Sequence, residues 1–317
     1  MKFYPLKLKP VTKSIIWGGH YLEKNFGYKS DQDNIAEAWI TTCRPDGVNI
    51  IENGSFGCVT LDSYIQQVGK ENVYGNFDNF PLLIKFIDAN DKLSVQVHPD
   101  DAYAKANGLD AGKTEMWYIV DAKEGASLVY GLRDKVKPSA KELMEYNEKG
   151  ILADKLNFVP VKKGDCFFIP AGLVHAIGEG IVIAEIQQNS NTTYRMYDYD
   201  RVGKDGKKRE LHIEKAAEVI KTEFDGNFIS GKVIDESKTI LCDCDLFLVE
   251  KHLICGKELK IGGGLMKSII CLEGCGKIIY DGTEYTFCKG DSYLIPKAMG
   301  DAVIISDKCE IIVSYAK

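Results

Sequence analysis

The stretch "GDCFFIPAGLVHAI", residues 164–177, reads as a turn, a buried strand and a proline-directed corner, and it recurs as "GDSYLIPKAMGDAV" at residues 290–303. Both copies carry Gly-Asp, an aromatic residue within an apolar run, and Ile-Pro at the same spacing. Gly and Asp favour turns, and proline, lacking a backbone N–H, sits where a strand ends. A repeated strand-and-corner unit points to two related β units in one chain. The copies part at their ends, where the first has Gly172 and His175 and the second has Met299, Gly300 and Asp301 without a histidine.

Outward from these copies, short apolar or alternating runs separated by Gly, Asn and Asp recur, among them "LLIKFIDA", "LSVQVH", "MWYIVDA", "ASLVYGL" and "GIVIAEIQQ". This pattern predicts a mainly β protein of many short antiparallel strands, a sandwich or barrel. Helical spacing appears in "LDSYIQQVG" ending at Gly69, in "DDAYAKANG" ending at Gly108, and in "LHIEKAAEVIK" over 211–221. In "PSAKELMEYNEKG", Ser139 and Glu142 form a capping box and Gly150 supplies the stop. A small helical insertion over about 99–112 and 138–156 therefore interrupts the strands. The polar, turn-rich stretch 225–240 reads as a domain junction, dividing the chain into units 1–235 and 236–317.

The 317 residues, 45% hydrophobic and 27% charged, suit one large or two moderate globular domains. A net charge of −6 and a pI near 5.5 argue against a nucleic-acid surface and favour small-molecule partners. Neither a signal-peptide core nor a run of membrane-spanning length is present, so a soluble, cytoplasmic protein without a membrane partner is expected. The ten cysteines are scattered through apolar runs, which predicts reduced, mostly buried thiols. Cys242 and Cys244 form a C-x-C without a second pair of matching spacing, so no metal cluster is expected there.

In "LSVQVHPDD", residues 93–101, alternation sends Gln96 and His98 to one face and Val95 and Val97 to the other. The valines suit a core, whereas a buried amide and imidazole need hydrogen bonds or ligation. The spacing from Gly164 through Pro170 and Gly172 to His175 resembles the second signature of the cupin family, a double-stranded jelly roll whose histidine enters the barrel and binds metal. Gln96, His98 and Glu115 then fill a modified first signature. The resemblance implies two cupin-type barrels, the first holding Gln96, His98, Glu115 and His175 around one ion and the second lacking ligands. Two imidazoles and a carboxylate suit Zn²⁺, with Fe²⁺ or Mn²⁺ as alternatives, and the weak amide ligand leaves a position open for water or substrate.

The ordered set "PLLIKFIDANDKLSVQVHPDDAYA", "GKTEMWYIV" and "GDCFFIPAGLVHAIGEGIVIAEIQQNSNTTYRMYDYDR" resembles type I mannose-6-phosphate isomerase in its short bacterial form, over most of residues 1–220. The resemblance implies one zinc ion per subunit on Gln96, His98, Glu115 and His175. It also implies interconversion of mannose 6-phosphate and fructose 6-phosphate by proton transfer between C1 and C2 through an enediol. Lys113, Lys85 and Ser94 match substrate-side residues, and Lys113 and Arg195 match residues acting at the reacting centre. Taken alone, Lys85 equally suits a strand lysine whose stem lies along apolar surface, and Arg195 a surface ion pair. Two departures stand out: Gly112 replaces a histidine of longer relatives, and Asn191 replaces an acid. The general base is left open among Asp198, Glu185 and Lys113, as is the oligomeric state. A sugar-sensing or carbohydrate-binding cupin without turnover is the competing expectation.

Overall fold

A computed structural model describes residues 3–203, 206–224 and 231–317. The first six residues of the 225–240 junction lie outside the described residues. The run "LLIKFIDA" is a strand, Leu82–Ala89, buried at every position. It is central in a six-stranded antiparallel sheet ordered Cys166–Ile169, Glu115–Ala122, Ile181–Gln188, Leu82–Ala89, Glu37–Thr41 and Val11–Lys13. Both faces of this sheet are covered, which is why its strands read as continuous apolar runs. Leu82, Ile84, Phe86, Met116 and Tyr118 pack toward the C-terminal unit with Leu8, Phe247, Val249 and Ile312. Ile87, Trp117, Ile119 and Ile183 pack the other way, with Leu128, Tyr130 and Val159 of a second sheet.

That second sheet has five strands, ordered Leu156–Pro160, Ser127–Leu132, His175–Ala176, Val95–Val97 and Tyr194–Tyr197. Its outer face, Val95, Val97, Val129 and Met196, is roofed by Leu143, Leu152, Ile213 and Ala216 of the helices Ala140–Glu148, Leu152–Lys155 and Ile213–Val219. The valines opposite Gln96 and His98 thus find their core on the helical side. Ser139 and Glu142 make the expected capping box, and the expected helices at Leu61–Val68 and Asp101–Ala106 are present.

The C-terminal unit contributes most of an eleven-stranded sheet whose long strand Lys267–Tyr280 pairs with four others and shifts register between Cys271 and Glu273. The sheet folds over its own core of Ile254, Ile269, Ile278, Phe287, Ile304 and Ile311. Among the described residues no sheet closes on itself; the β units are facing sheets held by interleaved apolar side chains. The first strand of the chain, Leu6–Lys9, belongs to this C-terminal sheet, with Leu6 paired to Leu294 and Lys7 to Tyr293.

The sequence repeat has a shared physical basis. Asp165 Oδ2 accepts the Lys162 N–H at 2.9 Å, and Asp291 Oδ2 accepts the Cys288 N–H at 2.9 Å. Each Ile-Pro corner then closes by a backbone bond, Leu173 N–H to the Pro170 carbonyl and Met299 N–H to that of Pro296. One expectation is corrected. Cys275 and Cys288 form a disulfide, because the hairpin of Lys267–Tyr280 and Thr283–Cys288 sets them directly opposite; the other eight cysteines are free. No helix of the described residues is long and apolar enough to cross a membrane.

Candidate metal centre

The corner "PAGL" brings the two histidine segments together. Gly172 has φ +95°, the left-handed conformation that the third residue of a type II turn requires. Its N–H donates to the His98 carbonyl at 2.9 Å. Beyond the corner, His175 pairs directly across the strands with Gln96, and Gln96 with Arg195, so the three lie in one row on the inward face of the five-stranded sheet. From the facing sheet, alternation directs Glu115 and Trp117 inward, and Gln187 pairs with Glu115 while Glu185 pairs with Trp117 and Lys85. The interior between these two sheets is therefore apolar at one end, around Ile87, Ile119 and Ile183, and polar at this one.

His98, Glu115 and His175 are at most 1% exposed. The His175 Nδ1–H donates to the Leu173 carbonyl at 2.8 Å, which leaves Nε2 as a lone pair. That lone pair lies 3.1 Å from His98 Nε2, and Glu115 Oε1 lies 3.3 Å from the same His98 atom. Burial, with Lys113 beside it, pushes the His98 imidazole down to about 3, and burial also lowers His175, so both rings are neutral near pH 7. Burial alone would raise the Glu115 carboxyl, but Lys113 and His98 hold it well below the ordinary carboxylate range. The His175 Nε2 lone pair, His98 Nε2 and the Glu115 carboxylate oxygen are all buried and lie beside one another. The donor set fits a divalent ion, and one atom from each of the three residues falls within 4.8 Å of the others.

The carboxylate is aimed by its neighbours. Trp117 Nε1–H is shared between Glu115 Oε2 and Glu185 Oε2, 3.0 Å to each, so Oε1 turns toward the histidines. Lys113 Nζ sits 2.9 Å from Glu115 Oε1. Lys85 is buried and lies 3.2 Å from Glu185 Oε1 and 3.7 Å from Glu37 Oε2. Burial and the nearby Glu115 charge raise the Glu185 carboxyl. Ser94 is buried and its Oγ accepts from Arg195 Nε at 3.3 Å; Arg195 also donates to the Glu210 carbonyl at 2.9 Å. Asp198 is clamped by Arg201 and Arg209, with contacts of 2.6 Å to Oδ1 and 2.7 Å to Oδ2.

Both departures from the longer relatives have local causes. A side chain at Gly112 would come within 2.5 Å of the Asp101 nitrogen, and the Gly112 N–H is bound by Asp101 Oδ1, so no histidine fits there. Asn191 turns to Asp46 at 3.0 Å, away from the interior. Trp117 and Glu37 are the members of this network that sequence reasoning passed over. Trp117 was findable, two residues after Glu115 on the same strand face; Glu37 joins only through the sheet order.

The type I phosphomannose isomerase catalytic domain family matches residues 6–147, and the mannose-6-phosphate isomerase cupin domain family matches residues 237–316. The chain is 38% identical over 320 residues to the mannose-6-phosphate isomerase of Streptococcus mutans, covering 98% of both chains. It is 39% identical to mannose-6-phosphate isomerase ManA of Bacillus subtilis over 94% of each. The crystal structure of the B. subtilis mannose 6-phosphate isomerase superposes with a TM-score of 0.89 at 34% identity, over 98% of this chain and 99% of that one. A phosphomannose isomerase mutant from Salmonella typhimurium, 18% identical with a TM-score of 0.79 over 99% of both chains, shares the fold. With full-length likeness to enzymes of one kind and both domain families in place, the chain belongs to the type I mannose-6-phosphate isomerase family.

Proposed function

We propose that this chain interconverts mannose 6-phosphate and fructose 6-phosphate with one zinc ion per subunit held by Gln96, His98, Glu115 and His175. The observation that carries the reading is the convergence of three buried ligand atoms, His98 Nε2 and His175 Nε2 3.1 Å apart and Glu115 Oε1 3.3 Å from His98 Nε2. A bound zinc ion would polarise a sugar oxygen and stabilise the negative charge that develops when the C2 proton leaves. The half-buried amide of Gln96, across from His175, leaves that side open to the sugar.

The chain's own groups divide the remaining work. A proton must travel between C2 and C1 through an enediol, and three side chains were candidates to carry it. Both oxygens of Asp198 are engaged by guanidinium groups, and Glu185 is enclosed by Trp117 and Lys85. Lys113, ion-paired to Glu115 at the proposed ion site, is the group this reading assigns to moving the proton. Arg195, in the row with Gln96 and His175, balances negative charge on the reacting oxygens. Ser94 orients Arg195 and contacts substrate, and Lys85 faces the sugar from the opposite sheet. Residues 1–235 carry the chemistry on a cupin-type jelly roll, and 236–317 form a second such unit without metal ligands that covers the outer face of the six-stranded sheet.

The test is interconversion of the two hexose phosphates by the purified protein before and after chelation. Activity should vanish with the metal and return with added Zn²⁺. Full activity of metal-stripped protein would exclude the zinc role, and failure of zinc-loaded protein to interconvert the sugars would exclude the activity.

A further inference from the structure

The C-terminal unit has a packed core of its own, and an open cleft lies at one end of it. Along Phe247–Ile254, Phe247 and Val249 pack toward the six-stranded sheet, while Ile254 packs into the C-terminal core. By alternation Leu248, Glu250 and His252 share the face of Ile254. Glu250 and His252 are only 6% and 5% exposed. His252 Nε2 lies 3.1 Å from Glu250 Oε2, the Tyr315 hydroxyl donates to the same oxygen at 3.2 Å, and Lys238 Nζ lies 2.6 Å from Oε1. Beside this cluster is a cavity of about 470 Å³, walled by Leu248, Leu259 and Ile261 and bordered by exposed Asp235 and Lys260.

Charged groups drawn inside a sheet unit are costly, and apolar residues of similar volume commonly serve stability as well or better. A concave space with apolar walls and a few convergent polar groups is the usual form of a small-molecule site. The first unit is built on the same plan, apolar at one end of its interior and polar at the other. The lining also selects its ligand. Asp235 and Glu250 are matched by Lys238 and Lys260, and Lys317 is engaged by Asp243, so the space has no surplus of cations to draw in a phosphate. An apolar guest would leave the lysines and the carboxylate without water. Hydroxyl groups, which donate to a carboxylate and accept from an ammonium, satisfy both, with a C–H face against the leucines and the Tyr315 ring.

We infer that this C-terminal cavity binds a neutral, polyhydroxylated molecule of monosaccharide size, at a site separate from the metal centre. The inference does not depend on the activity proposed for that centre. Full-length, metal-loaded protein is titrated with D-mannose, D-glucose and inorganic phosphate by saturation-transfer NMR and calorimetry. Expected is saturable sugar binding that weakens at least about tenfold in Leu248→Trp, which fills the cavity, and in Glu250→Gln, and that persists in His175→Ala. Both C-terminal variants should keep the wild-type rate of hexose phosphate interconversion, and Tyr315→Phe, which removes one hydroxyl, provides a milder third variant should Glu250→Gln fail to fold. Absence of saturable sugar binding, binding unchanged in Leu248→Trp, or phosphate bound more tightly than sugar would each overturn the inference.

Discussion

Replacing Trp117 by Phe keeps a ring packed on His175 but deletes the one N–H that holds Glu115 and Glu185 together. Partners of ligating residues typically matter by 10–100-fold in metal affinity, so Trp117→Phe should bind zinc about that much more weakly in a chelator competition while its fold is retained. His98→Ala and His175→Ala should lose both metal and activity and remain folded, since the neighbouring cores are built from other residues; metal content by elemental analysis decides this. Arg195→Ala should lose roughly 2–4 kcal/mol of transition-state stabilisation in kcat/KM with zinc still bound, and Lys113→Ala should depress kcat strongly. Much of the cluster was legible because strand alternation is a local rule: Gln96 and His98 share a face in any register. The clamp on Asp198 was not legible, since Arg209 joins it from eleven residues away in a stretch whose sequence carries no periodic signal.

At the scale of elements, the corner at 170–173 joins the strand of His98 to that of His175. Gly172→Ala places a Cβ 2.7 Å from the Lys221 side chain in a left-handed backbone, a strain of order 1–3 kcal/mol. The expected result is a lower melting temperature together with weaker zinc binding, since the Gly172 N–H to His98 bond is disturbed as well; a variant with an unchanged melt and unchanged metal affinity would remove the corner from this role. Elements with local punctuation were readable, such as the capping box at Ser139 and the stop at Gly69. The helix Tyr21–Phe26 was not read from the sequence, being six residues long and without a side-chain cap. The repeat was readable for the same local reason, as each Asp closes its own turn three residues back.

For the molecule as a whole, a chain ending at Asp235 exposes the face that carries Leu82, Ile84, Phe86 and Tyr118, a contiguous apolar surface of the kind that drives association. Such a truncation should be recovered mainly insoluble, losing activity through stability; a soluble, fully active product would contradict the division of labour between the units. Order among distant strands is what sequence patterns do not record, and Leu6–Lys9 is the clearest instance: nothing in "LKLK" names its partner 288 residues on, from Leu6 to Leu294. That pairing has a consequence in time. On the ribosome, Leu6 is made 288 residues before Leu294, so this pairing forms only after all the intervening chain has been synthesised. Closing so long a loop places its entropy cost late in folding and lengthens the interval in which the open edge is available to other chains. Newly made protein should therefore become resistant to protease at the six-stranded sheet before its N-terminal strand is protected from hydrogen exchange.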